Sequence, residues 1–396
     1  MSFDHELRAE WLDKGGQLEN GKYMFFLDIF KKTYHPLNLV EVSSDALLSN
    51  YSYLSSLNTN ISVAPVLKSN GYAHGLVNVA KIIDGVGAPF VCVDSIYEGY
   101  ELLKSHIQSP ILIMGYINPE NLKVKRLPFS YAVYNREQVF GISRYQPHAG
   151  IHVFVDTGMH REGVSLDDLP KFLQYVNELG LRMEGLMSHL AAADNPDSEL
   201  TKKQTGNFET AQEIVRIAGL FPKWIHLGAS SALLNHSKYV GKLGNMVRVG
   251  ISLYGIDPEG KNKQLQPALT LVSTLSQVKS LKEGEKIGYD FTYTAPRNMI
   301  IGILPIGYYD GVERRLSNKG LVVINNIKCP IIGRVSMNLT TVDISSVKDP
   351  KVGDRVIIYS ANTADPNSIS HAAALCETIP YDIIVGLASS TKRIVR

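Results

Sequence analysis

The chain has 396 residues, 44% of them hydrophobic and 20% charged, and a formal net charge of +2. That length exceeds one ordinary small domain and leads to an expectation of two. The hydrophobic share supplies a large core and excludes wholesale disorder, and the near-neutral balance gives no electrostatic case for nucleic acid or an anionic membrane as partner.

Residues 1–38 fit no repeating pattern and are read as an N-terminal extension. Their first stretch carries Asp4, Glu6, Arg8 and Glu10 and no apolar segment, so no secretory signal is expected and the protein is placed in the cytoplasm. Cys92, Cys329 and Cys376 lie far apart, which suggests neither a disulfide framework nor a metal site and suits a reducing compartment. No window is apolar for long enough to span a bilayer.

From Leu39 the chain alternates two patterns. Strand-like apolar runs stand at residues 39–42, 61–67, 90–93, 111–113, 151–155, 181–187 and 224–227. Helix-like stretches lie between several of them, at residues 44–57, 76–85, 95–106, 167–179 and 202–218. Strand followed by helix, repeated, is the sequence form of a parallel α/β barrel or open sheet. Residues 39–264 are assigned to it. Polar, glycine-bearing segments follow the strands, which in a barrel are the loops where chemistry collects. From about Leu265 short β-rich runs take over, near residues 269–278, 299–304, 320–324, 329–332, 339–344 and 354–360. Turn signals such as Lys282-Glu283-Gly284 and Asn325-Asn326 separate them. Residues 265–396 therefore read as a mostly β C-terminal domain.

Several segments carry candidate chemistry. The run 61–67 delivers Lys68 into the turn Ser69-Asn70-Gly71-Tyr72-Ala73-His74-Gly75. A lysine at a strand end can be desolvated and act as a nucleophile toward a carbonyl; it can equally be a solvated strand-end residue. Asp156-Thr157-Gly158-Met159-His160-Arg161-Glu162-Gly163 follows another strand and places Arg161 where it can reach a carboxylate or phosphate, or simply solvent. Ser188-His189 ends a further run, and His189 either orients a neighbour or is a satisfied structural histidine. Arg248 sits among apolar residues, where an arginine is rare unless paired. Gly250 and Ile251 offer backbone N–H groups, and Ser230 a hydroxyl, all suited to a phosphate, with packing and helix capping as the alternative. Tyr289, Tyr308, Tyr309 and Tyr381 lie in turns of the second domain, where most of the chain's 20 tyrosines must be structural.

Taken together and in this order, these segments resemble alanine racemase, a pyridoxal 5'-phosphate family with a (β/α)8 TIM-type barrel and a C-terminal β domain. The likeness runs from about Leu39 to nearly the end of the chain. It implies that Lys68 holds the cofactor covalently and that Tyr72, Ser230, Gly250, Ile251 and Tyr381 surround its phosphate. It implies that Arg161 lies near the substrate carboxylate, with Met337 at the substrate site, and that Asp194, Arg314, Arg334 and Ile379 form a narrow entrance. His189 and Arg248 would link a catalytic Tyr289 to the pyridine nitrogen. Racemisation needs the α-proton removed on one face and returned on the other, and the resemblance assigns those faces to Lys68 and Tyr289. An arginine does not protonate a ring nitrogen as a carboxylic acid would, so Arg248 would limit transamination. A homodimer is implied, Tyr289 and Met337 of one chain completing the site built on Lys68 of the other, with D-alanine supplied to peptidoglycan. No metal is expected.

The chain departs from the family pattern at four places. Gly71-Tyr72-Ala73 swaps the small residues of the usual Ala-Tyr-Gly, Ala229 replaces a common Asn, and Asn338 replaces a common Asp. Phe154 stands where a carbamylated lysine often supports the substrate arginine. Because a strand's side chains alternate faces, His152, Phe154 and Asp156 are expected to share one face near Arg161. A chloride, a water network or another carboxylate would then replace the carbamate, helped by a cation–π contact from the ring. A broader racemase acting on serine or lysine is the alternative reading. A related decarboxylase would lack this order of motifs, and a cofactor carrier would lack the second domain.

Overall fold

The computed structural model describes residues 35–396, apart from Asp194, Pro196 and Asp197 and the side chains of residues 236–239, 242 and 243. The reading of residues 1–38 therefore falls almost wholly outside the described residues. Asn38–Arg396 form one compact unit, and everything below lies within it.

Eight parallel strands make the barrel: β2 (Ser62–Pro65), β3 (Val91–Val93), β4 (Ile111–Ile113), β5 (Phe129–Val133), β6 (Gly150–Phe154), β7 (Arg182–Met187), β8 (Trp224–His226) and β9 (Met246–Val249). Strands β3 to β8 pair in chain order, and β2 pairs with β9. A parallel bridge from Val66 to Cys92 joins β2 to β3. The Asn245 and Arg248 amides donate to the Ile225 and Gly228 carbonyls at 3.0 and 3.2 Å, which joins β8 to β9 and closes the ring. Strands β3, β4 and β6 are buried along their whole length. Cover on both faces is why they read as continuous apolar runs.

Helices α1 (Ser44–Ser56), α2 (Leu76–Ile83), α3 (Ile96–Lys104), α4 (Arg136–Tyr145), α5 (Leu169–Glu178), α6 (Glu199–Ile217) and α7 (Ser230–Leu243) connect most of the strands. Four start on polar caps: Ser43, Ser95, Asn135 and Ser198 each accept a hydrogen bond from an amide in the first turn. Strands β5 and β9 and helices α4 and α7 lay outside the sequence-based expectation.

The C-terminal part is built mostly of strands: β10 (Leu269–Thr274), β11 (Gln277–Leu281), β12 (Lys286–Ile287), β13 (Tyr293–Thr294), β14 (Met299–Leu304), β15 (Leu321–Ile324), β16 (Ile327–Pro330), β17 (Thr340–Asp343), β18 (Arg355–Tyr359) and β19 (Lys392–Val395). Two short helices follow β18, α8 (Ile369–Leu375) and α9 (Pro380–Val385). The run 269–278, read as one strand, is two.

One strand changes allegiance. β1 (Leu39–Val42), expected to open the barrel, instead pairs antiparallel with β10 and parallel with β19 in the C-terminal sheet. Its burial alternates, Val40 and Val42 buried and Leu39 and Glu41 partly exposed. That is the pattern of a strand with one wet face, whereas barrel strands are covered on both. Glu41 spends its exposed side on Arg355 at 2.7 Å and Arg396 at 3.4 Å.

Candidate active site

A cavity of about 730 Å³ is lined by residues that follow the barrel strands: Lys68 after β2, Asp94 after β3, His189 after β7, Ser230 after β8 and Gly250 after β9. The barrel thus gathers its C-terminal strand ends onto one space, the usual place for chemistry in this architecture.

Lys68 enters an unusual turn. Ser69, Asn70, Gly71, Tyr72 and Ala73 all have φ between 49° and 61°, a left-handed run in which only Gly71 lacks a Cβ. Such residues cost about 1–2 kcal/mol each, so the surroundings must hold them. The Asn70 side chain accepts from the Leu76 amide at 2.9 Å, and the Asn70 amide donates to Glu98 of α3 at 3.4 Å. The His74 Nδ1 lies 2.8 Å from the Tyr72 carbonyl, and Arg393 of β19 donates to the Ala73 carbonyl at 3.0 Å. The clamped turn fixes Lys68, whose Nζ lies 3.9 Å from the Asp94 carboxylate.

Opposite, three elements build a cradle of donors. Ser230 opens α7, and its N-cap Ala229 has no side chain with which to cap it, so the helix start keeps amides free for an anion. The amides of Gly250 and Ser252 converge on the Ser230 hydroxyl at 3.2 and 3.4 Å. Ile251 begins a 3-10 turn and has no carbonyl within that turn to receive its N–H. The Tyr72 hydroxyl closes over Gly250: a Cβ built there would lie 2.3 Å from it. The Tyr381 ring lies tilted against that of Tyr72, centroids 6.2 Å apart, and lines the same space. Burial pushes the Tyr72 phenol well up and that of Tyr381 to about 12, so both are hydroxyl donors. A bare backbone at Gly250 ringed by hydroxyls and amides fits a phosphate group.

The third wall is cationic. Arg248 donates to His226 Nδ1 at 2.6 Å and to the Ser188 carbonyl at 2.6 Å, and its Nη2 lies 3.3 Å from His189 Nδ1. Burial, with the charges of Arg248, Arg161 and Lys68 behind it, lowers the His189 pKa to about 3. His189 is thus neutral. An arginine can only donate, so His189 Nδ1 accepts and its proton sits on Nε2.

Arg161 lines the cavity and pairs with its neighbour Glu162, Nε to Oε2 3.7 Å. Glu162, which the sequence did not single out, is a carboxylate beside Arg161. The Phe154 ring packs against Ala132, Met187 and Tyr134. Contrary to the sequence-based expectation, Arg161 is not among the cations stacked on rings in the described residues. Asp156 does not line the main cavity; its Oδ1 accepts from the amides of Gly158, Met159 and His160 and shapes the arginine loop.

The structure does not bring every candidate together. Ile379 lines the cavity, but Tyr289, Met337, Arg314 and Arg334 of the same chain do not. Tyr289 and Met337 are 71% and 55% exposed, and Arg334 binds Asp290 at 2.9 Å beside Tyr289. Asp194 lies outside the described residues. Among the described residues no cluster of metal-ligating side chains occurs, and no helix is long and apolar enough to cross a membrane.

Residues 42–258 match the alanine racemase N-terminal domain and residues 268–395 the alanine racemase C-terminal domain. An alanine racemase of Lactobacillus gasseri is 33% identical over 367 residues, 88% of this chain and 95% of that protein. The solved alanine racemase of Clostridium difficile 630 superposes with a TM-score of 0.83 at 28% identity, over 92% of this chain and 97% of that one. An alanine racemase structure from Bartonella henselae, which carries covalently bound pyridoxal phosphate, shares the fold at a TM-score of 0.79 and 23% identity, over 91% of this chain and all of that one. The chain belongs to the alanine racemase family of isomerases.

Proposed function

We propose that this chain interconverts L- and D-alanine with pyridoxal 5'-phosphate, by two bases on opposite faces of the substrate, in a homodimer with shared sites. The observation that carries the proposal is the separation of the two bases. Lys68 lines the cavity, and Tyr289 stands exposed outside it. One chain therefore presents one base at the site and a second base to another copy.

In this reading Lys68 anchors the cofactor, and Ser230, Gly250, Ile251, Tyr72 and Tyr381 hold its phosphate. When bound, the cofactor takes up the electron pair left by the departing α-proton. Arg161, oriented by Glu162, receives the substrate carboxylate. Lys68 Nζ moves a proton at the α-carbon on one face, and the partner subunit's Tyr289 moves one on the other. A free tyrosine has a pKa near 10, so its ionised form needs a donor beside it. His189, neutral with its proton on Nε2, is such a donor, and Arg248 behind it adds positive charge. Met337 of the partner, with Ile379, Arg314 and Arg334, narrows the approach in favour of a small side chain. A division of the chain near residue 264 into barrel and β domain belongs to the same reading, as does a cytoplasmic enzyme supplying D-alanine to peptidoglycan.

Borohydride reduction of the loaded enzyme followed by peptide mapping should place the pyridoxyl group on Lys68, and a coupled assay should turn over alanine in preference to serine and lysine. A label on any other lysine, or equal turnover of lysine, would refute the assignment.

A further inference from the structure

Below the cavity the barrel interior holds charged and titratable groups that the racemisation chemistry does not use. His152 in the middle of β6 and His226 at the end of β8 are wholly buried, and their Nδ1 and Nε2 atoms meet at 2.8 Å. His226 turns its Nδ1 to Arg248 at 2.6 Å. His152 turns its Nε2 to Glu184 of β7 at 3.6 Å, and that nitrogen has no hydrogen-bond partner among the described residues. Glu184 in turn receives Ser130 at 2.5 Å and Arg182 at 3.0 Å, the last at the solvent rim. The chain of contacts runs from the cavity wall through the barrel to its far end.

The backbone is built to admit these groups. A Cβ at Gly185 would lie 2.2 Å from His152 Nδ1, and one at Gly150 would lie 2.1 Å from Glu184 Oε2. The register of β6 against β7 shifts between Ile151 and His152. The shift places Glu184 as the extra residue of the bulge, a device that re-aims a side chain. Two glycines and a bulge together make room for an imidazole and a carboxylate where a barrel would otherwise pack apolar layers.

The proton positions follow from donor arithmetic. Arg248 can only donate, so His226 Nδ1 accepts and its proton sits on Nε2. That proton is donated to His152 Nδ1, which leaves the His152 proton on Nε2, aimed at the Glu184 carboxylate. Only this pair of tautomers satisfies the Arg248–His226 and His226–His152 contacts with both imidazoles neutral. Burial depresses both histidine pKa values. Glu184, against the opposing effect of its own burial, is held down at about 2 by the His152 ring, Ser130 and Arg182. No carboxylate among the described residues forms an ion pair with Arg248, whereas Glu184 forms one with Arg182 and faces the neutral His152 ring.

We infer that Glu184, His152 and His226 form a positioning relay that carries the countercharge of Arg248 across the barrel and fixes it as a hydrogen-bond donor facing the cavity. These residues touch neither substrate nor cofactor; they act through Arg248. The inference rests on the reading that Arg248 faces the cofactor ring. A buried cation without a counterion is costly, and the relay meets that cost without placing a carboxylate beside the ring, where it would raise the proton affinity of the nitrogen.

Two measurements test this. In histidine-15N-labelled protein, with and without pyridoxal phosphate, the ring-nitrogen shifts should show His226 and His152 both protonated at Nε2 and unprotonated at Nδ1. A proton on Nδ1 of either ring overturns the relay, and this readout needs no activity. Second, Glu184→Gln removes the charge and keeps an acceptor. Its kcat should fall roughly 10-fold, the low end for an outer-shell partner of a site, with KM little changed and the absorbance maximum of the bound cofactor shifted. Glu184→Asp should recover part of the loss. An unchanged kcat and spectrum in folded Glu184→Gln would refute the inference. Failure of the unmodified protein to bind pyridoxal phosphate would instead refute the functional reading, leaving the tautomers to decide the relay.

Discussion

Replacing Gly250 by alanine tests the phosphate cradle with a single carbon. The φ of Gly250 is −99°, outside the left-handed region reserved for glycine, so the objection to a side chain is steric. The new methyl would sit 2.3 Å from the Tyr72 hydroxyl and 2.9 Å from its ring carbon. Tyr72 has little room to retreat, because it packs 5.0 Å from Tyr254 and 6.2 Å from Tyr381, and its backbone belongs to the left-handed turn that carries Lys68. Overpacking of this kind costs about 1–3 kcal/mol. If the cost falls on the cofactor-bound state, the dissociation constant for pyridoxal phosphate rises by roughly 5- to 150-fold. Titration of the apo protein, followed by cofactor absorbance, measures it directly, and circular dichroism confirms that the variant folds. A folded Gly250→Ala protein that binds the cofactor as tightly as the parent would show that Tyr72 and Gly250 do not enclose the phosphate.

Three further outcomes are expected. Tyr289→Phe should retain cofactor and lose racemisation by at least roughly 10²-fold, while α-hydrogen exchange with solvent persists for the D-isomer, whose proton is assigned to Lys68; equal loss for both isomers would argue against separate bases. With Phe154 in place of a carbamate and Glu162 beside Arg161, activity should be indifferent to bicarbonate, and loss in carbon-dioxide-free buffer with recovery on adding bicarbonate would contradict the site. Burial holds His74 at about 4 and His189 at about 3, whereas unfolded histidine titrates near 6.5. The folded pKa values are lowered, so stability is intact above about pH 6.5 and falls as the pH drops toward 4 and 3, by about 2 kcal/mol per histidine at pH 5. NMR titration should find neither ring protonating between pH 8 and 5, and a midpoint near 6.5 for either would refute the argument.

Much of this was legible in the sequence, for identifiable reasons. Barrel strands covered on both faces leave continuous apolar runs, and the polar residues at their ends, Lys68, His189, Ser230 and Gly250, fall on one cavity because parallel strands all end on one face. Most of what the sequence does not show is set by partners distant in the chain. The run Leu-Val-Glu-Val at Leu39–Val42 shows a wet face through Glu41, but nothing local says that its neighbours are β10 and β19. The relay is similar: His152 and Glu184 sit 32 positions apart in sequence, and only the bulge in β7 aims one at the other. The left-handed run after Lys68 was hidden because only Gly71 signals it; the other four residues are held there by Glu98, Arg393 and the turn's own hydrogen bonds. Glu162 carries no local sign that it, and not a distant group, neighbours the Arg161 guanidinium.

The central claim, that Lys68 of one chain and Tyr289 of another serve one site, has a direct test. Lys68→Ala and Tyr289→Phe are each expected to be inactive as homodimers. Mixed and allowed to exchange subunits, they form hybrid dimers in which one site has lost both groups and the other has both. With random exchange in a two-fold dimer, about one quarter of the parental sites are intact, and activity should recover to about that fraction. No recovery, with exchange proven by differently tagged chains, would mean that each site is completed within its own chain.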